Sequence, residues 1–206
     1  MYYEITHPLV KHKLTVLRNN VTLHTQFREL ISEITLLLGY EAMRNLEIEP
    51  LKVETPLAKA MGSKLNSDIV VIPILRAGMG MMEGMLALVP SARVGFVGIY
   101  PDPVTHLAIS YAEKLPQGLT NPHYFVIDPM LATGNSMVTA INTLKEKNCT
   151  PITVITIISA PEGIKRVEET NPDVDIYTAS IDECLDKNNY IVPGLGNVGD
   201  RLFGTE

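Results

Sequence analysis

Three predominantly apolar runs, "DIVVIPIL" at 68–75, "HYFVID" at 123–128 and "ITVITIIS" at 152–159, constrain the fold of this chain more than any other feature of its sequence. They are rich in β-branched residues and lack the polar alternation of a strand with one wet face, so each must be covered on both sides. "RVGFVGIY" at 93–100 and "VDIYTAS" at 174–180 read the same way. Helical segments lie between them: "MGMMEGMLALV", "SMVTAINTLKEKN" and "PEGIKRVEET", the last opening on Pro161, where a missing N–H costs nothing. Buried strands alternating with helices predict the α/β class, with a doubly wound, mostly parallel five-stranded sheet and helices on both faces. Upstream, Phe27, Leu30, Ile31, Ile34, Leu37 and Leu38 recur at helical spacing, and "LKVET" at 51–55 reads as a short strand. One domain accommodates all 206 residues, with an arm over about 1–50, a core over about 51–180 and a C-terminal extension over about 181–206. The stretch 100–122 breaks the rhythm with Pro101, Pro103, Pro116, Pro122 and Gly118, and its length suits a lid or binding loop.

Charge and cysteine usage narrow the function. A net charge of −6 argues against general nucleic-acid binding, which needs clustered Lys and Arg. A small anion can still be held by a few local donors. Cys149 and Cys184 are too few for a disulfide framework and form no C-x-x-C pair, which suits a reduced, cytoplasmic compartment. The opening "MYYEITHPLVKHK" lacks an apolar signal region and "IVVIPIL" is too short to span a membrane, so a soluble protein is expected. His7 and His12 have no third ligand nearby and read as solvated or hydrogen-bonded imidazoles, while the methionines at 79, 81, 82 and 85 read as core or interface filler.

Gly194, Gly196 and Gly199 in "GLGNVGD" match the spacing of a dinucleotide-binding turn. That motif requires a following helix, a second strand and an acidic residue about 20 positions on. Only seven residues follow Gly199, so nicotinamide chemistry is not expected. "YFVIDPMLATGNSMVTA" is more informative. A strand ends at Asp128, a loop of small residues follows, and a helix begins near Ser136. Helix N-terminal amides and the Thr133 and Ser136 hydroxyls would converge there, at the carboxyl end of a strand, in an arrangement suited to a phosphate monoester. On spacing alone, the same residues read equally well as a turn with Ser136 capping a helix. The loop lacks the lysine of an NTPase phosphate loop.

"VIDPMLATGNS" resembles the phosphoribosyl diphosphate (PRPP) binding signature of the type I phosphoribosyltransferases, with Asp-Pro where most branches carry paired acids. Together with "PILRAG", "SAPEG", "YTASID", "YIVPGLGNVGDRLFGT", "HPLVKHKLTVLRNN" and "FRELISEITLLLGYEA", it is similar to the uracil phosphoribosyltransferase family over nearly the whole chain. The resemblance implies transfer of a 5-phosphoribosyl group from PRPP to uracil. Catalysis would involve Arg76, Asp128 and Asn197. PRPP would be bound by these residues and by Pro129, Met130, Leu131, Ala132, Thr133, Gly134, Asn135 and Ser136. Uracil would be read mainly by main-chain groups of Ile191, Gly196 and Val198, with Asn197 beside them, which makes the C-terminal segment a base-binding hood. Mg²⁺ is implied, carried mainly by the diphosphate and without a dedicated protein site. A homodimer or homotetramer and a GTP effector are implied as well.

Two departures stand out. Pro101 follows Tyr100 where the family usually has an arginine that contacts PRPP, with His106 a weak substitute, and Asn197 replaces the family's usual aspartate. They leave open an alternative reading, a PRPP-binding regulator that has lost turnover. A transferase for another base, such as a purine, is a third.

Overall fold

A computed structural model of the chain describes residues 1–101 and 108–205. The elements run β1 (Tyr2–Glu4), α1 (Pro8–Arg18), α2 (His24–Ala42), β2 (Ile48–Glu54), β3 (Lys59–Leu65), β4 (Ile69–Leu75), α3 (Met79–Leu88), β5 (Arg93–Val94) and β6 (Phe96–Pro101). They continue with β7 (Ala108–Lys114), β8 (His123–Ile127), β9 (Met130–Leu131), α4 (Asn135–Glu146), β10 (Ile152–Ser159), α5 (Pro161–Thr170), β11 (Asp175–Ile181), β12 (Cys184–Leu185), β13 (Ile191–Val192) and α6 (Val198–Phe203).

The five expected strands form the parallel centre of the sheet in the order β11-β10-β8-β4-β6. Four short additions complete a nine-stranded sheet: β1 lies parallel to β11, β7 antiparallel to β6, β5 beside β4 and β9 beside β10. All eight residues of β10 are buried, as a strand covered on both faces requires. Ile69, Val71, Phe125, Ile127 and Ile155 pack with α1, α2 and α3 on one face. Val70, Ile72, Tyr124, Val126 and Val154, one step along the pleat, pack with α4 and α5 on the other. Each side chain so enclosed contributes about 1.5 to 3 kcal/mol through burial, so the two cores together hold the sheet between its helices.

Two segments differ from expectation. The strand read at 51–55 overlaps the second half of β2, which pairs with β3 in a separate antiparallel hairpin away from the main sheet. Most of its residues are exposed, and Thr55 Oγ1 closes the turn by accepting from the Leu57 and Ala58 amides at 3.2 and 3.0 Å. The proline-rich stretch contains a strand, β7, because Pro101 ends β6 and Pro116 falls beyond Lys114; these prolines bracket β7 rather than interrupt it. His106 lies outside the described residues.

His7 caps α1, its Nδ1 accepting from the Leu9 amide at 3.2 Å. Met81 and Met85 are fully buried in the first core. Cys149 is buried, Cys184 exposed, and both are free thiols. Among the described residues no helix is long and apolar enough to cross a membrane. "GLGNVGD" follows β13, a two-residue strand antiparallel to β12, and leads into the six-residue α6. It therefore does not open from a parallel sheet strand, as a dinucleotide turn must.

Candidate active site

Parallel strands finish on one edge of a sheet, so the segments after β4, β8, β10 and β11 emerge together there. After β4, a cis Leu75–Arg76 peptide leads into a tight turn in which the Gly78 amide donates to Ile74 O at 2.9 Å. Arg76 is exposed at this edge. Gly78 has no space for a side chain: a Cβ there would lie 2.6 Å from Ile127 O and 2.7 Å from Ile74 N and O. That close approach brings the start of α3 against the end of β8, beside Asp128.

The segment after β8 is fastened to β10. The Asp128 amide donates to Ile155 O at 3.3 Å, Pro129 O accepts from the Ile157 and Ile158 amides at 3.1 Å each, and Leu131 O accepts from the Ala160 amide at 2.9 Å. Pro129 and Leu131 are buried, so they shape the loop from below. Gly134, with φ of +81°, turns the chain into α4, whose first helical bond runs from the Val138 amide to Gly134 O. The amides of Asn135, Ser136 and Met137 precede that bond; the Asn135 amide points towards Thr133 Oγ1 at 3.4 Å. Glycine at the cap supplies no side-chain acceptor, so the positive end of a 12-residue helix faces the edge of the sheet. The helix begins at Asn135, one residue before the expected position.

A cleft of about 250 Å³ opens at this point, lined by Ala77, Asp128, Thr133, Gly134, Ser136 and Met137 among others. Arg76's turn and the Asp128 loop are thereby brought together. Asp128 is partly exposed through the cleft mouth, but its carboxyl is enclosed enough that desolvation pushes its pKa up to about 7, against the opposing pull of the Met130 amide. The combination of a helix N-terminus with one acid that ionises near neutral pH suits a ligand carrying both a phosphate and hydroxyl groups.

The tail reaches the same edge from β11. Ile191, Leu195 and Val198 are buried, while Gly196 and Asn197 are exposed. Ile191, Leu195 and Val198 therefore anchor the segment in the protein, and Gly196 and Asn197 are the positions between them that reach the surface. Asn197 caps α6, its Oδ1 accepting from the Asp200 amide at 3.3 Å, and it is not part of the cleft lining around Asp128. α6 packs on α2, where Arg28 donates to Leu202 O at 2.9 Å, and Leu202 also lies against Gly80 of α3.

Sequence reasoning did not find Ala77, Met137 or the polar contacts that hold the tail. Arg18 and Asp182 are 164 positions apart, and no local spacing can pair them. "YTASID" contains Asp182, and "HPLVKHKLTVLRNN" contains Arg18, without indicating that they meet.

Comparison with known proteins places the geometry in a family. The uracil phosphoribosyltransferase family model matches residues 4–205. A uracil phosphoribosyltransferase of Fervidobacterium nodosum is 53% identical over 207 positions, covering all of both chains. One of Streptococcus mutans is 49% identical, covering 98% of this chain and 97% of its relative. Among solved structures, a protein of Aquifex aeolicus superposes with a TM-score of 0.93 at 37% identity, over 100% and 99% of the two chains. An adenine phosphoribosyltransferase of Trypanosoma brucei shares the fold, with a TM-score of 0.57 at 13% identity over 91% of this chain and 87% of that one. With the family model spanning nearly its whole length and half of its residues shared with such relatives, the chain belongs to the uracil phosphoribosyltransferase family of pentosyltransferases.

Proposed function

We propose that the cleft between Ala77 and the Asp128–Met137 segment takes PRPP, that residues 181–206 form a hood which reads uracil, and that the products are UMP and diphosphate. The observation that carries this reading is the helix N-terminus of α4 opening beside Asp128, with the turn of Arg76 on the neighbouring strand. The ribosyl C1–O bond to diphosphate breaks, a bond from uracil N1 to C1 forms, and the N1 proton is lost. No side chain is assigned to receive that proton.

The amides at the start of α4, with the Thr133 and Ser136 hydroxyls, would clasp the 5'-phosphate, and Asp128 would accept from the ribose hydroxyls. Arg76, exposed at the edge, would bond two diphosphate oxygens with one planar guanidinium. Placement and stabilisation of the departing diphosphate then account for most of the catalysis. Mg²⁺ carried by its substrate would meet Asp128, the one acid among the residues lining the cleft. When bound, the ion would supply charge neutralisation at the diphosphate. Ile191, Gly196 and Val198 would offer main-chain donors and acceptors to uracil, and the exocyclic amine of cytosine would leave one of these groups unpaired. Asn197 would hold the start of α6 while lacking the charge of the family's aspartate.

The relatives support turnover and give none to the regulator reading. An assembly of copies is supported by the exposed apolar side chains of the β2–β3 hairpin, Ile48, Leu57 and Met61 among them. Two free cysteines suit a cytoplasmic location. A GTP effector rests on the family resemblance, and no residue is assigned to it.

Diphosphate release from PRPP and Mg²⁺, with uracil, cytosine, hypoxanthine, adenine or no base, tests the assignment. Release with uracil alone, matched by UMP, is expected; release with a purine, or silence with uracil, would overturn it. Pro101 closes β6 without a cationic side chain. Pro101→Arg is expected to lower the KM for PRPP by roughly 10-fold, the worth of one charge-assisted bond, and an unchanged KM would show that the position does not meet PRPP.

A further inference from the structure

We propose that Arg18 and Asp182 are positioning residues for base recognition, an ion pair with a buried carboxylate that grips both main-chain groups of Gly194 and so fixes the segments on either side of it at which uracil is read. The inference rests on the assignment of the tail as the uracil site.

Gly194 lies between Ile191 and the 196–198 segment. Asp182 Oδ2 accepts from the Gly194 amide at 2.8 Å, and Arg18 Nη1 donates to Gly194 O at 2.9 Å. The pair itself is two-pronged, Nη1 to Oδ2 at 2.8 Å and Nη2 to Oδ1 at 2.5 Å, and the Ser180 hydroxyl donates to Oδ1 at 3.0 Å. Every member is anchored elsewhere. Arg18 is the last residue of α1, Asp182 directly follows β11, and its amide donates to Ser159 O on β10 at 2.8 Å. Gly194 itself has φ of +67°, and a Cβ there would lie 2.0 Å from Ile191 O. The turn leaves no room for a side chain at this position, and the ion pair fastens it to the end of the sheet.

A second guanidinium continues the grip. Arg201 Nη1 donates to Leu195 O at 2.9 Å and Nη2 to Asn19 O at 2.7 Å, while its plane lies 4.3 Å from the Phe27 ring centroid. The carbonyls of residues 194 and 195 are thus both held by arginines, one at the end of α1 and one in α6. The Asp182 side chain is 1% exposed. A pair so desolvated adds little net stability, because the loss of hydration offsets the attraction. Its geometric consequence, a main chain held still where a flat base must be matched by amides and carbonyls, is the larger one.

Arg18→Lys keeps the charge beside Asp182, but a single ammonium lacks the planar fork that reaches the carboxylate and Gly194 O together. Asp182→Asn keeps the shape and removes one charge. For both, steady-state kinetics with uracil, cytosine and PRPP, and PRPP binding by calorimetry, would be compared with the unaltered protein. The KM for uracil is expected to rise roughly 10- to 100-fold in each, as when a bond to a charged group is lost, with PRPP affinity unchanged and the preference for uracil over cytosine reduced. If Asp182→Asn does not fold, Arg18→Lys decides, since Arg18 is 24% exposed and tolerates a smaller head group. A wild-type KM for uracil in folded Arg18→Lys, or equal losses for uracil and PRPP, would overturn the inference. Absence of uracil-dependent turnover in the unaltered protein would instead overturn the assignment of function on which it rests.

Discussion

Replacing Gly78 with alanine is expected to lower the melting temperature by about 5 to 10 °C and to reduce kcat/KM by roughly 100-fold or more. The backbone at Gly78, φ −57° and ψ −21°, is ordinary helical geometry that alanine adopts readily. Helix propensity alone would favour the substitution by up to about 1 kcal/mol. Space decides the sign. The new methyl would stand 2.6 Å from Ile127 O and 2.7 Å from Ile74 N and O, all of them main-chain atoms within paired strands. No side chain can swing aside, so the β4–α3 turn must move away from β8, at about 2 to 4 kcal/mol for forced repacking. Arg76 and Ala77 move with one partner and Asp128 with the other. Displacement of about 1 Å between groups that must grip one substrate costs on the order of 100-fold in rate. Gly62→Ala provides the comparison, since its Cβ meets only Leu51 O, at 3.6 Å, on the exposed hairpin. Thermal melting and diphosphate release should leave Gly62→Ala unchanged; full activity of Gly78→Ala would show that the turn does not couple the two halves of the cleft.

The centre of the fold was legible because short, β-branched apolar runs of about eight residues, recurring between helical segments, suit strands buried on both faces. "ITVITIIS" and "IVVIPIL" need covering helices, and the alternating order of strands and helices fixes how those helices must run. The β2–β3 hairpin was less legible for the opposite reason. Its second strand, "KAMGSKL", is exposed throughout most of its length and carries no periodicity, so nothing in the sequence separates it from a loop. β7 was hidden by its neighbours: none of the prolines that mark 100–122 as irregular falls within Ala108–Lys114.

Within the candidate site, the parts built from contiguous residues were readable. Asp128 through Ser136 form a strand end, a turn and a helix start, and the spacing of small residues announces each. The clamp on the tail was not readable. Arg18 and Asp182 meet only because α1 packs across β11, and the charge of either residue, taken alone, suits an exposed surface. Asn197 shows a related limit. The family pattern directs attention to its missing charge, whereas the structure gives its side chain a helix cap that Asn makes as well as Asp.

Asp128→Asn is expected to lose roughly 100- to 10,000-fold in kcat/KM for PRPP while making the unliganded protein more stable above neutral pH. The activity loss follows from the proposed role: an amide forms weaker bonds to two ribose hydroxyls than a carboxylate, at about 1.5 to 3 kcal/mol for each charged bond forgone. The stability gain follows from desolvation. Burial raises the carboxyl pKa from 3.8 to about 7, so the folded protein resists ionisation that the unfolded chain accepts freely. Below pH 4 both states hold the proton and the aspartate carries no penalty. Between pH 4 and 7 the unfolded chain has released it and the folded state has not, so stability declines as pH rises. Above pH 7 both are ionised and the penalty is constant, on the order of 4 kcal/mol. Asparagine removes the titration, so its advantage in melting temperature should be small at pH 4 and full at pH 8. PRPP reverses the balance in the natural protein, because hydroxyl donors favour the carboxylate; affinity for PRPP should fall as pH drops below about 7. The ligand's own phosphate titrates nearby, with a second pKa near 6, but it does so equally with either protein. The pH dependence that remains in the natural protein after subtraction of Asp128→Asn therefore belongs to Asp128. A pH-independent stability difference between the two would show that the cleft already solvates this carboxylate, and that its ionisation is not what PRPP binding draws upon.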